Sequence, residues 1–197
     1  MPTYKIMLAY KNIDVEDLDE LERIAAEAPD AHVNAVDGSV SVFATMTAPC
    51  STEAVEDLVD AIHRAAEAAT PIRAEFELLA VSDIASNVGL NREAVRLWTV
   101  GKRGPGGFPV PVDVVGDRVK VWAASDVYDW LVATGIPTSV GRPLRLDEVT
   151  DASRAIERKR RRWANRPYLA AADDWHSAKQ QQVTVPVHMT VQRAATS

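Results

Sequence analysis

The 197-residue sequence predicts an α+β chain made of two unlike modules followed by a basic helix. Three observations carry that prediction. The first eighty residues alternate strand and helix periods in the order strand, helix, strand, strand, helix, strand. Residues 81–130, VSDIASNVGLNREAVRLWTVGKRGPGGFPVPVDVVGDRVKVWAASDVYDW, carry the spacing of two short helices and a hairpin. The charge is also split: residues 1–79 hold five basic and sixteen acidic side chains, net −11, and the remainder seventeen and twelve, net +5, within a whole-chain −6. Phosphate repels the acidic part and attracts the basic one, an asymmetry that suits an oriented contact with DNA.

In the first module Tyr4, Ile6, Leu8 and Tyr10 alternate with Lys5, Met7, Ala9 and Lys11, the period of a strand. Asp14 opens a helix whose Val15, Leu18, Leu21, Ile24 and Ala25 form one apolar face. AHVNAV and SVSVFATMT make two strands joined at Asp37-Gly38, a dipeptide that accepts positive φ. Ser51 starts a second amphipathic helix with Val55, Leu58, Val59, Ile62 and Ala66 inward. Pro71 ends it, and IRAEFELLA alternates again as a fourth strand ending near Leu79. This is the split βαβ, ferredoxin-like order βαββαβ. Such a fold dictates no function. RNA-binding versions carry exposed aromatics on the central strands, where SVSVFATMT has only Phe43, and metal-carrying versions need paired cysteines that YKNIDVED lacks. Dimerisation through the sheet or its edge is the expected task, and a small-molecule effector on this module stays open.

In the second module Ala85 precedes Gly89 by four residues, Val95 follows Gly89 by six, and Trp98 follows Val95 by three, with Ile84, Val88 and Leu90 at the other inward positions. That spacing packs two short helices across a tight turn. Ala85 is small where the helices cross, Gly89 can take the left-handed conformation, and Asn91 can cap the second helix. Arg92, Glu93, Arg96 and Thr99 then face away from Val95 and Trp98, as candidate readers of a DNA groove. GKRGPGGFPVPV breaks the helical pattern, and VDVVGDRVKVW reads as two strands around Gly116-Asp117, a hairpin wing. Lys102, Arg103, Arg118 and Lys120 give it positive charge suited to phosphate. Ser125 caps a closing helix whose Val127, Trp130 and Leu131 pack with Trp98 and Trp122.

Through DIASNVGLNREAVRLW, FPVPV and VWAASDVYDWL, residues 81–133 resemble the excisionase and AlpA-like branch of the MerR-type winged helix-turn-helix proteins. The resemblance implies double-stranded DNA binding, in transcription or as a recombination accessory, with a recognition helix on residues 91–100 and a wing on 106–122. The large N-terminal domain and long C-terminal extension depart from that branch.

Residues 136–143, IPTSVGRP, read as a loop. From Asp147 a helix follows, with Val149, Ala152, Ile156 and Trp163 along one seam, Lys159 interrupting it and Pro167 marking its end. Arg154, Arg158, Lys159, Arg160, Arg161, Arg162 and Arg166 make this the most basic stretch, read as a phosphate-tracking helix with a solvated face as the alternative. YLAAADDWHSAKQ adds a short helix docked by Tyr168, Leu169 and Trp175. Residues 181–197 read as a flexible tail or one edge strand limited by Pro186. The expected domains are 1–79, 80–135, 136–180 and 181–197.

No catalytic constellation emerges. His32, His63, His176 and His188 lie apart, Asp173, Asp174 and His176 read as solvated, GKRGPGG lacks the lysine-serine ending of a phosphate loop, and Cys50 has no evident base. Neither a cofactor nor a metal is expected. A single cysteine fits a reducing cytoplasm, and neither a membrane-length apolar run nor a secretory start is present in the sequence. The expectation is a cytoplasmic, non-enzymatic, sequence-specific DNA-binding regulator that dimerises through its first module. With almost no linker between the modules, half-sites about 34 Å apart or a multiple of it follow. The alternatives are an architectural or recombination accessory factor and a protein-interaction scaffold.

Overall fold

The computed structural model describes residues 1–36, 38–116, 118–138 and 140–180, with side chains through residue 165. The chain is mixed α+β. Residues 1–160 form one compact unit and 161–197 a second.

The first sheet is built from β1 (Thr3–Lys11), then after α1 (Leu18–Glu27) from β2 (His32–Val36) and β3 (Ser39–Thr47), and after α2 (Ser51–Ala65) from β4 (Thr70–Ala74). Its order is β2-β3-β1-β4, with every one of these neighbours antiparallel. The two-residue period buries Tyr4, Ile6, Leu8 and Tyr10 of β1 together with Val42 and Ala44 of β3. Val55, Leu58, Val59 and Ile62 of α2 are buried with them.

Helix α1 begins at Leu18, later than the expected Asp14, because the Asp17 carboxylate caps it by accepting the Glu20 N–H at 3.1 Å. Val15, Leu18 and Ala25 are exposed, and Ile24 is the residue the helix buries.

The fourth strand differs more. Helix α2 ends on its own at Ala65, and Pro71 lies inside β4, at the sheet edge and beside a register shift, where a missing N–H is tolerated. The strand then stops at Ala74 instead of running to Leu79. Glu75 donates its N–H to the Met7 carbonyl (2.8 Å), and the chain leaves the sheet. Leu78–Leu79 form β5, which pairs antiparallel with a strand of the second module through Leu78–Ala123 and Leu79–Trp122. A continuous alternation in the sequence thus serves two sheets in turn.

That second module contains α3 (Val81–Asn87), α4 (Arg92–Thr99), β6 (Asp113–Val115), β7 (Val119–Ala123) and α5 (Ala124–Thr134). Its sheet runs β5-β7-β6. Leu79, Ile84, Ala85, Val95, Val127 and Leu131 share one core with Trp98, Trp122 and Trp130. Phe108 meets Trp122 and Trp130 edge-on at 5.8 and 4.8 Å, and Trp98 lies 5.3 Å from Trp130. The loop before the wing is fastened to this core. The Trp130 and Trp122 indole N–H groups donate to the carbonyls of Gly106 (2.9 Å) and Pro109 (3.0 Å).

Gly89 sits at φ +67° between α3 and α4, as the turn requires. Gly104 sits at φ +91° against the Trp98 ring, so close that a Cβ there would stand 2.4 Å from Cδ1. Two expectations need correction. Leu90 closes the turn with its N–H on the Ala85 carbonyl (2.9 Å), but the residue is 43% exposed. Ser125 does not cap α5, since β7 runs directly into it, Ala123 is the cap residue, and Ser125 is buried in the first turn. The Ala124 N–H is satisfied instead by the Glu77 carbonyl at 3.0 Å.

The expected loop 136–143 ends in β8 (Arg142–Pro143), which lies parallel to β1 at Tyr4–Lys5, beside the edge from which the chain departed at Glu75. Helix α6 (Leu146–Gln180) follows. Its first turn is held by Glu148, which takes the Arg142 guanidinium bidentately (2.6 and 2.8 Å) and accepts the Arg145 N–H (2.8 Å). Val149, Ala152, Ala155 and Ile156 are buried, and the Ser153 hydroxyl accepts the Ala74 N–H at 3.2 Å. The helix passes Pro167, where an end was expected, and takes in the segment read as a separate helix. A proline deletes one rung of the ladder, and the alanine-rich run beyond it has high helix propensity. The predicted tail 181–197 lies outside the described residues, as do the side chains of Tyr168, Leu169 and Trp175.

Candidate nucleic-acid interface

Helix α4 owes its orientation to both ends of its sequence pattern. Asn91 caps it by accepting the Ala94 N–H at 2.8 Å, while Val95 and Trp98 anchor its inner face. The helical period then leaves Arg92, Glu93 and Arg96 exposed and Thr99 half-buried. The wing hairpin stands beside this face, its strands registered as Asp113–Val121, Val114–Lys120 and Val115–Val119. Arg92, Glu93, Arg96 and Thr99 of α4 line one open groove together with Arg118 and Lys120 of the wing. The start of α3 contributes Val81 and Ser82, and Val100, Val119 and Trp122 add apolar lining.

Charge is not uniform inside it. Glu93 holds Arg96 bidentately, with Nε–Oε2 at 2.7 Å and Nη2–Oε1 at 2.6 Å. The hydrogen bonds and charge of Arg96 keep the Glu93 carboxyl below the usual carboxylate range, and Glu93 in turn raises the guanidinium. Arg92, Arg118 and Lys120 have no carboxylate partner among the described residues. Their charge faces solvent.

The other cations named from sequence are not part of this groove. Lys102 and Arg103 are exposed in the loop after α4, where both backbone N–H groups close onto the Leu97 carbonyl. On α6, Lys159 pairs with Asp60 of α2 at 2.6 Å and is only 17% exposed, and Arg158 reaches Glu56 of the same helix at 4.0 Å. Arg160 and Arg154 pair within α6, with Glu157 (3.3 Å) and Asp151 (3.1 Å). Arg161 and Arg162 belong to the second unit, where both are exposed.

Sequence reasoning missed three features of the site. Ser82 reaches it from the start of α3. The Glu93–Arg96 pair was foreshadowed only by opposite charges three residues apart. The wing also exposes Val112, Val114, Val115 and Val119, whose signal is the concentration of valines in residues 110–119.

The Tyr10 hydroxyl is buried with no hydrogen-bond partner among the described residues, and burial, then the Asp60 charge, pushes its pKa well up. Cys50 is exposed at the start of α2. Among the described residues there is no cluster of three or more metal-ligating side chains, and no helix long and apolar enough to cross a membrane. Comparison with protein-family models, with curated proteins and with solved structures finds no match.

Proposed function

We propose that this chain is a sequence-specific double-stranded DNA-binding protein, a transcriptional regulator that acts as a homodimer. In this reading the first module is ferredoxin-like, and residues 81–133 are a winged helix-turn-helix similar to the excisionase and AlpA-like branch of the MerR type. The observation that carries it is the groove between α4 and the wing, where Arg92, Arg118 and Lys120 present charge without a carboxylate partner among the described residues. A helix face in the major groove with a cationic hairpin beside it divides the work into base contact and phosphate contact.

Two further features support a dimer with fixed spacing. Strand β2, HVNAV, is a sheet edge without acid, lysine, arginine or proline, the devices that keep edges from pairing. The join between modules is held on both sides, by the Lys5–Glu77 ion pair (2.7 Å) and by the bonds of Glu75 and Glu77 to Met7 and Ala124. A stiff join sets the distance between two DNA-reading heads.

The test is fluorescence anisotropy of a labelled duplex titrated across a salt series. Arg92→Ala, Arg118→Ala and Lys120→Ala should each reduce the slope of log K against log salt by about 1. A wild-type protein that leaves duplex unbound at about 50 mM salt would refute the reading. It would favour a second one, a protein-interaction scaffold, for which the exposed Val112, Val114, Val115 and Val119 of the wing speak.

A further inference from the structure

Arg96 differs from the other cations of the groove. Among the described residues that line it, Arg92, Arg118 and Lys120 are without a carboxylate, whereas Arg96 is locked to Glu93 through two short hydrogen bonds. Both members of the pair stay open to solvent, with side chains 53% and 62% exposed. A carboxylate on the face that meets a polyanion is repelled by phosphate, so it weakens binding to every sequence alike. Its presence there calls for a compensating task.

Donor geometry supplies one. A guanidinium has five N–H donors in a planar fork, and the Glu93 contact uses the edge made by Nε and Nη2. The edge made by Nη1 and the second Nη2 hydrogen stays available, with the spacing that matches guanine O6 and N7. Each Glu93 oxygen retains a lone pair, and a carboxylate accepts from cytosine N4. In the major groove a G·C pair displays the two guanine acceptors next to the cytosine donor. An A·T pair offers an adenine donor where the fork needs an acceptor, and the thymine O4 acceptor where the carboxylate needs a donor.

We infer that Glu93 and Arg96 act as one preorganised unit that reads a single G·C base pair, Arg96 on guanine and Glu93 on cytosine, with Glu93 also rejecting other pairs. This inference rests on the DNA-binding reading above. Arg92, Arg118 and Lys120 supply attraction, and the Glu93–Arg96 pair supplies discrimination at that attraction's expense.

The experiment is parallel selection of bound duplexes from a random pool with the full-length wild type, Glu93→Gln and Arg96→Lys, each checked for folding by circular dichroism. Wild type should enrich a site containing one invariant G·C position per half-site. Glu93→Gln should bind random duplex several-fold more tightly while its preference at that one position falls about ten-fold or more. Arg96→Lys, which keeps the charge and loses the fork, should also lose that preference without the general tightening. If Glu93→Gln tightens binding but leaves the selected site as sharp as before, Glu93 is a solvated charge and the inference fails. An enriched site with no G·C position sensitive to either variant overturns it too, with DNA binding intact. Absence of duplex binding by wild type removes the parent reading instead.

Discussion

The α4–wing face and the α6 helix are both basic in sequence, yet their cations end in opposite circumstances. Arg92, Arg118 and Lys120 stand in an open groove without carboxylate partners among the described residues, whereas Lys159 and Arg158 meet Asp60 and Glu56 of the acidic helix α2. Arg160 and Arg154 are taken up by acids of their own helix. A run of arginines is a count of charges, and what a ligand meets is the field left after internal pairing. The denser run is therefore the poorer candidate for DNA contact along Arg154–Arg160, and the sparser face the better one. The acidity of the first module also gains a reason: part of it is the counter-surface on which the α6 cations rest.

The largest effect should come from removing the frame of the first region while sparing the second. Trp98→Ala deletes a side chain packed on Trp130 and against Gly104, and such truncations cost about 3–5 kcal/mol. Thermal or urea unfolding should show the loss, and duplex binding should fall with the module that carries α4. Any salt-dependent affinity that survives belongs to cations elsewhere, so a variant that binds as well as wild type breaks the comparison.

Next in size is the pairing itself. The triple variant Arg92→Ala/Arg118→Ala/Lys120→Ala should lose on the order of a hundred-fold in affinity near physiological salt, from about three counterions not released. Lys159→Met should leave the salt slope unchanged and reduce folding stability by about 1 kcal/mol or less, because solvent screens the half-exposed Asp60 carboxylate left without its partner. A Lys159→Met slope shallower by about 1 would show that this cation meets phosphate after all.

How legible these regions were from sequence follows from the kind of information each needed. Period-two and period-3.6 patterns are local, so the strand and helix order, the Asn91 cap, the turn at Gly89 and the hairpin at Gly116 could all be read from a few neighbouring residues. The face of α4 was legible for the same reason, since Val95 and Trp98 fix which side is inward. What could not be read were choices between partners. IRAEFELLA has one alternating pattern, but only tertiary pairing decides that its Leu78 and Leu79 join β7 and not β1. Arg142–Pro143 looked like loop because two residues carry no period, and their place on β1 depends on an edge vacated at Glu75. Lys159 looked like an interruption of a seam. Its partner lies ninety-nine residues away, beyond any local rule.

The smallest expected effect separates the two regions by acid. Glu148 anchors the first turn of α6. Burial pushes its pKa up, but the Arg142 guanidinium and the Arg145 N–H outweigh that, so it stands below its ordinary value of 4.5. A carboxyl whose folded pKa is depressed contributes stability that is fully present above the unfolded value and is lost as pH falls through the folded one. Glu148→Gln should thus be less stable than wild type by about 1 kcal/mol at pH 7, a modest figure because solvent screens part of the pair. That difference should hold down to about pH 5 and close below the ordinary carboxylate range. The groove offers a contrast, because its one carboxylate, Glu93, is held below the usual range by its hydrogen bonds to Arg96. Duplex affinity should therefore stay level between about pH 7 and 5. Parallel urea titrations and anisotropy titrations at each pH decide the matter: a stability gap that persists in strong acid assigns Glu148 no role as an ionised anchor, and a duplex affinity that tracks the gap ties the two regions together.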